Sequence, residues 1–314
     1  MTHWLALVAF AAAAAAQAQP ATLRAMGFAG SANWPIFVAQ EKGLFAARSL
    51  KVELAAAPNS ATQIAVLRDG QIDIALTAMD NIVPYPEELF AFLGVNDGGR
   101  ISLIAMPGIK RVAELRDRAL AVDAVASGYA FVLMEMLARG GLSPGDYQLV
   151  SVGGSRERLR ALQERRASGA LLNAPTDAAA EAAGFVRLAS SAEVLTHYQG
   201  SVGAARRSWA REHGDVLVRY IGAHIAALEW LYAPANRSEA LQILGRRVGV
   251  DARNAERSYQ ELLAQGSLAR KAALDVDGIR AVLALRSRFA PSPPPSTDPA
   301  RYYDLSYYEK ALAR

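Results

Sequence analysis

The most constraining stretch of the chain runs from Asn33 through Trp34-Pro35-Ile36-Phe37-Val38-Ala39-Gln40-Glu41-Lys42-Gly43-Leu44-Phe45 to a short β-like run at Leu50 to Leu54. Asn33 has the short polar side chain of a helix cap. Pro35 suits the first helical turn, where its missing N–H is no loss. An amphipathic segment follows, and Gly43 stops it. With a strand on either side this is a strand-loop-helix-loop-strand unit, and the loop after its first strand opens toward a ligand site.

The N-terminus adds a second constraint. Met1-Thr2-His3 leads into the apolar run Trp4 to Ala16, and Ala16-Gln17-Ala18 offers small residues for cleavage, so residues 1–18 read as a secretory signal peptide. The run is short for a membrane span and no charged stop follows it. The mature chain then starts near Gln19 and is exported. The sequence contains no Cys, which removes thiolate metal sites, cysteine nucleophiles and the cysteine of a lipid anchor, and points to a freely diffusing periplasmic protein. A hydrophobic content of 52% lets a chain of this length fold without disulfides and allows two domains. The net charge of +4 is spread over scattered arginines, as in Arg156 to Arg166, and not over an aromatic-interleaved stripe, so no nucleic-acid partner is expected.

Along the chain, apolar runs and helical patterns alternate. Strands are expected at Leu23 to Phe28, Lys51 to Ala55 and Asp73 to Thr77, with helices at Trp34 to Lys42 and Ser60 to Arg68; from Asn81 a helix starts that Pro84 and Pro86 confine. A second block places strands at Ala119 to Val122, Tyr147 to Val152, Ala170 to Leu172 and Val186 to Leu188. Its helices are Val112 to Leu115, Gly128 to Arg139, Arg156 to Arg165 and Thr176 to Ala183, and Tyr198 to Ala205 is the return strand. From Trp209 the chain reads as amphipathic helices capped by Asp215, Ser238 and Asp251. A polyproline spacer follows at 291–296, and a tyrosine-rich tail docks as packing. These alternations predict an α/β protein of two lobes, 19–105 plus 205–314 and 106–204, with crossings near Ala105-Met106 and Gln199 to Ala204.

Trp34 to Phe45, Asn59-Ser60-Ala61-Thr62-Gln63, Leu67-Arg68-Asp69-Gly70-Gln71-Ile72-Asp73-Ile74-Ala75, Asp80-Asn81, Gly128, Gly141-Leu142 and Asn173-Ala174-Pro175 together resemble the periplasmic solute-binding family of ABC importers for nitrate, alkanesulfonates, taurine and thiamine pyrimidine precursors. The resemblance covers most of the mature chain. It implies a bilobed type II periplasmic-binding-protein fold, with two mixed, mostly parallel sheets flanked by helices and joined by a two-crossing hinge. It further implies lobe closure over one small-molecule ligand and delivery to a membrane permease with a cytoplasmic ATPase, by a monomer that needs no cofactor or metal. Two other readings of the same fold are a pyrimidine-synthase-like enzyme and a ligand-presenting subunit of a membrane sensor. The enzyme would need a cofactor lysine and a cysteine-rich loop, and the chain has no Cys; no His-Glu-x-x-His, serine elbow or phosphate loop is present either.

Four helix starts are expected to converge on the cleft: Asn33-Trp34-Pro35, Thr77-Ala78-Met79-Asp80, Ser127-Gly128-Tyr129 and Asn173-Ala174-Pro175-Thr176. Free N–H groups there bind anionic or polar groups, each charge contact being worth roughly 0.3–2 kcal/mol. The candidate ligand-binding residues are Asn33, Trp34, Thr77, Met79, Asp80, Asp123, Ser127, Gly128, Tyr129, Asn173 and Tyr198. Trp34 is either a stacking face for a planar solute or an anchor between helix and sheet. Thr77 and Asp80 either meet the ligand or form a capping box, and Asp123 either accepts from a ligand amine or orients its loop. Val152-Gly153-Gly154-Ser155-Arg156 is a strand-to-helix turn able to form an anion nest, with Arg156 adding charge. His197, His213 and His224 read as local or helical positions. If Arg156 and the helix starts dominate, the ligand is a small carboxylate or sulfonate; if Asp80, Asp123 and Trp34 dominate, it is an aromatic or nitrogen heterocycle.

Overall fold

The computed structural model describes residues 19–98, 101–173 and 175–314; the signal peptide read at 1–18, and Ala174, lie outside the described residues. The strands are β1 (Ala21–Gly27), β2 (Leu50–Ala56), β3 (Ile74–Ala78), β4 (Leu89–Asn96), β5 (Ser102–Ala105), β6 (Ala119–Val122), β7 (Gln148–Ser151), β8 (Gly169–Leu172), β9 (Val186–Ser190) and β10 (Ser201–Arg206). The helices are α1 (Trp34–Glu41), α2 (Ser60–Arg68), α3 (Met79–Ile82), α4 (Gly128–Arg139), α5 (Ser155–Gln163), α6 (Thr176–Ala182), α7 (Ser191–Val194), α8 (Arg207–Glu212), α9 (Gly214–Tyr232), α10 (Arg237–Val248), α11 (Ala252–Tyr259), α12 (Val276–Phe289) and α13 (Ser306–Leu312). None of the described helices is long and apolar enough to cross a membrane.

The strands form two five-stranded sheets of the same plan, ordered β2-β1-β3-β10-β4 and β7-β6-β8-β5-β9. In each, three strands pair in parallel and one reversed strand, β10 or β5, pairs antiparallel on both sides. Parallel strands carried by helical crossovers are covered on both faces, which is why β3 and β8 are buried at every position; the reversed β5, enclosed between β8 and β9, is buried throughout as well. Side-chain caps start several of the helices: Asn59 accepts from Thr62 N for α2, Ser127 from Ala130 N for α4 and Asp251 from Asn254 N for α11. Asp215 and Ser238 do not cap as expected. Each lies inside its helix, and Asp215 pairs with Arg219 at 2.9 Å and Arg314 at 3.0 Å instead.

The expected mixed, mostly parallel arrangement is present, with one difference in where the chain changes sheets. The expected boundary at 105 puts β5 in the first lobe, but Ser102–Ala105 lies between β8 and β9 in the second sheet. The change of sheet falls earlier, in the Gly-containing turn after Asn96. Neither β4 nor α12 is among the elements expected from sequence.

The two crossings run side by side and touch. Gly98 has φ +63°, and a Cβ on Gly200 would sit 2.2 Å from Gly98 N, so side chains are excluded where the strands pass. Asn96 Oδ1 accepts from Gly98 N at 3.0 Å and Ser201 N at 3.1 Å, and Gly200 N donates to Asn96 O at 3.1 Å. One asparagine thereby ties the end of β4 to the start of β10.

α1, α9, α10 and α11 pack on the first sheet through Phe37, Phe92, Tyr220, Leu228 and Ile243. A second apolar cluster runs from Met79 and Val202 on the first sheet's side through Phe131 and Leu171 of the second to Ile279 and Val282 of α12. The C-terminal tail packs as expected, with Asp304 N donating to Ala91 O at 3.1 Å along β4 and Tyr308 Oη to Lys271 O at 2.8 Å.

His224 in α9 is fully buried and its Nδ1 has no hydrogen-bond partner; burial lowers its pKa from 6.5 to about 4. The unfolded chain takes up this proton at higher pH than the folded one. Stability is therefore full above pH 6.5 and falls as pH drops toward 4, by about 3 kcal/mol from this residue. Urea denaturation at pH 7 and pH 4.5 is expected to show this loss in the native sequence and a flattened dependence in His224→Leu; an equally steep loss in the variant contradicts the assignment.

Candidate functional site

The C-terminal ends of β1 and β3 face those of β6 and β8, and a cavity of about 80 Å³ lies between them. A water needs roughly 10–15 Å³ on this measure, so the space suits several waters or one compact solute. The first sheet contributes Phe28, Ala29, Gly30, Asn33, Leu76, Thr77, Val95 and Ser201; the second side contributes Ile101, Asp123, Tyr129, Ser155, Arg158, Leu171 and Asn173. Leu262 comes from a π-helical turn, Gln260–Ala264, that continues α11.

Five of the residues named from sequence, Asn33, Thr77, Asp123, Tyr129 and Asn173, line this cavity. Asn33 Nδ2 donates to Phe28 O at 2.7 Å and braces the loop after β1. Thr77 Oγ1 accepts from Asn81 Nδ2 at 2.9 Å. Asp123 accepts from Ser127 Oγ at 2.6 Å and from Ser60 Oγ, a residue of the opposite lobe. Tyr129 Oη pairs with Ser201 Oγ at 2.7 Å, again across the cleft, and burial pushes its phenol up to about 12. The Asn173 N–H donates to Ser155 Oγ at 3.2 Å.

The other six sit elsewhere. Trp34 is 0% exposed; its Nε1 donates to Ala240 O at 3.1 Å, and its ring meets Tyr259 edge-on at 6.3 Å, so it anchors α1 to α10 and α11 with its ring turned away from the cavity. Met79 belongs to the apolar core. Asp80 forms no capping box: α3 is preceded by Ala78, and the Asp80 carboxylate receives Arg286 Nη1 at 2.7 Å. Burial pushes Asp80 up to about 7 against the opposing pull of Arg286. Ser127 is occupied as the cap of α4. Gly128 is the close-contact point between lobes, where a Cβ would lie 2.5 Å from Asp80 Cβ. Tyr198 is buried behind it, its hydroxyl donating to Gly128 O at 3.5 Å.

Arg156 does not form the anion nest. Its Nη2 reaches 2.6 Å to Val248 O at the C-terminal end of α10, joining the lobes at a helix terminus that favours a cation. The charged residue that does face the cavity is Arg158, which sequence analysis missed. α5 buries Ser155, Arg158, Ala161 and Leu162, so Arg158 occupies the helix's inward stripe; an arginine in register with Leu162 was the available signal. Its Nε is buried without a partner, and among the described residues its guanidinium forms no ion pair or hydrogen bond. Burial lowers its pKa, while Asp123, Tyr129 and Glu157 act in the opposite direction. A further contact between lobes joins Arg257 of α11 to Glu181 of α6.

Comparison with solved structures finds the same fold in the periplasmic nitrate-binding protein NrtA from Synechocystis PCC 6803, with TM-score 0.79, 16% identity and coverage of 93% of this chain and 88% of that one. The alkanesulfonate-binding protein SsuA from Xanthomonas axonopodis pv. citri, bound to MOPS, has TM-score 0.76, 19% identity and coverage of 91% and 99%. The ligand-binding component of an ABC-type import system from Staphylococcus aureus, with zinc bound, has TM-score 0.76, 17% identity and coverage of 92% and 98%. No curated protein matches the chain. The family model described as NMT1-like matches residues 16–245, more than half of the sequence, and the chain belongs to the NMT1-like family.

Proposed function

We propose that this protein is the periplasmic substrate-binding component of an ABC importer, a monomer that captures one small solute between its lobes and presents it to a membrane permease with a cytoplasmic ATPase. The observation that carries this reading is the cavity at the strand ends, walled by both sheets and bridged by Ser60 to Asp123, Tyr129 to Ser201, Arg156 to Val248 and Arg257 to Glu181. A cavity bridged by contacts between two bodies widens for its solute when the bodies part. The paired crossings at Asn96 to Gly98 and Gly200 to Ser201 supply the place to bend. The nitrate, alkanesulfonate and ABC-import proteins of the same fold support the role, as does the leader-like N-terminus. The lining holds polar groups for recognition, and the reading assigns no bond-breaking to them.

A thermal-shift screen of carboxylates, sulfonates, aromatics and pyrimidines tests the proposal. A true ligand at a hundred times its Kd is expected to stabilise by about 2.7 kcal/mol; absence of stabilisation by every class contradicts it. Trp34→Ala is expected to lower stability by about 3–5 kcal/mol, since it empties a core position, yet to leave the ligand's increment intact. A variant of unchanged stability that no longer responds to ligand would return Trp34 to the site.

A further inference from the structure

Resting on the capture reading, we infer that the solute is a compact organic monoanion whose charged group is held by Arg158 and whose short apolar body lies against the cavity wall. Arg158 is 7% exposed and lines the cavity, and its Nε is buried without an acceptor. An arginine stays charged, and a buried cation is tolerable only with a counter-ion and acceptors for its N–H groups.

The carboxylate in the same cavity, Asp123, supplies counter-charge through space but no acceptor for the guanidinium N–H groups. Both oxygens of Asp123 are taken by hydroxyls, Oδ1 by Ser127 and Oδ2 by Ser60, and no carboxylate of the described residues lies within ion-pair distance of Arg158. Asp123 therefore serves as a pin between the lobes, held by Ser60 from the opposite side. The guanidinium N–H groups are therefore left open toward the space, where the oxygens of an oxyacid guest would meet them.

The rest of the wall describes the guest's body. Phe28, Leu76, Val95, Ile101, Leu171 and Leu262 are apolar and surround the polar end. At about 80 Å³ the cavity leaves room for a short chain. The tryptophan expected to stack on a planar solute points into the helical layer, which leaves Phe28 and Tyr129 as the aromatic side chains of the wall. A guanidinium fork accepts carboxylate and sulfonate oxygens alike, so the shared chemistry is an oxyacid monoanion.

Isothermal titration of the full chain with butanoate, propane-1-sulfonate, butanamide and nicotinamide separates these classes. At least one anion is expected to bind about 100-fold more tightly than either neutral probe, and the two anions rank carboxylate against sulfonate. Arg158→Met is expected to weaken the preferred anion by about 100-fold, while the thermal midpoint of the ligand-free variant rises, because an unpaired buried charge has been removed. Arg158→Lys keeps the charge, loses the fork and should fall between. Tighter binding of butanamide or nicotinamide, or undiminished anion binding by Arg158→Met, overturns the anion assignment and leaves the capture reading standing. Absence of binding by all four probes together with a silent thermal-shift screen removes both.

Discussion

The two crossings meet at glycine, and the geometry of the molecule follows from that contact. Each crossing strand enters its new sheet as the reversed member, β5 in one and β10 in the other, so the two sheets share one plan. Because Gly98 and Gly200 pass without side chains, Asn96 can bond both segments, and the sheets present the C-terminal ends of their parallel strands to each other. The cavity is what remains between those ends. A bulky residue at either glycine would separate the crossings and with them the two walls of the site.

The buried charges of the protein sort into two kinds. Asp80 with Arg286, and Asp177 with Arg187, are pairs that hold helices and strands in place, and each partner lies within 3.2 Å of the other. Arg158 is of the other kind: equally removed from water, it faces a space and has no hydrogen-bond or ion-pair partner among the described residues. Pairing satisfies a buried ion within the fold, whereas an unpaired one creates a standing affinity for something outside it. The contacts between lobes, including Asp123 with Ser60, then hold that space closed.

Much of the fold was legible because its signals are local. α2 and α4 announce themselves by caps, α1 by Pro35 in its first turn, since Asn33 makes no side-chain cap and donates to Phe28 O instead, and β1 to β3 by apolar runs of strand length. β4 was hidden behind Pro84 and Pro86, which suggested only a broken helix. α12 was obscured because its apolar stripe of Ile279, Val282 and Leu283 is interleaved with arginines, two of which pair with Asp80 and Glu135 on distant helices. The site was legible at the level of loops: four of its residues follow from helix starts beyond strand ends, and Asp123 from a strand end. Side-chain direction was not. Trp34 turns away because its indole partner, Ala240 O, lies 206 positions along the chain, and Asp80 is claimed by a residue equally remote. Sequence spacing carries no information about such distant partners, and it pointed to Arg156 and not to Arg158, although two residues, about half a helical turn, separate a bridge to α10 from a wall of the cavity.

The central claim is that the two lobes close over a solute, and a distance between them tests it most directly. The sequence has no Cys, so a double variant, Lys51→Cys with Glu164→Cys, places one exposed spin label on each lobe without background. Double electron–electron resonance should give a longer, broader distance distribution in ligand-free protein, and a single shorter distance once a stabilising solute saturates it. A distribution that is the same with and without bound solute would contradict closure and the capture mechanism built on it.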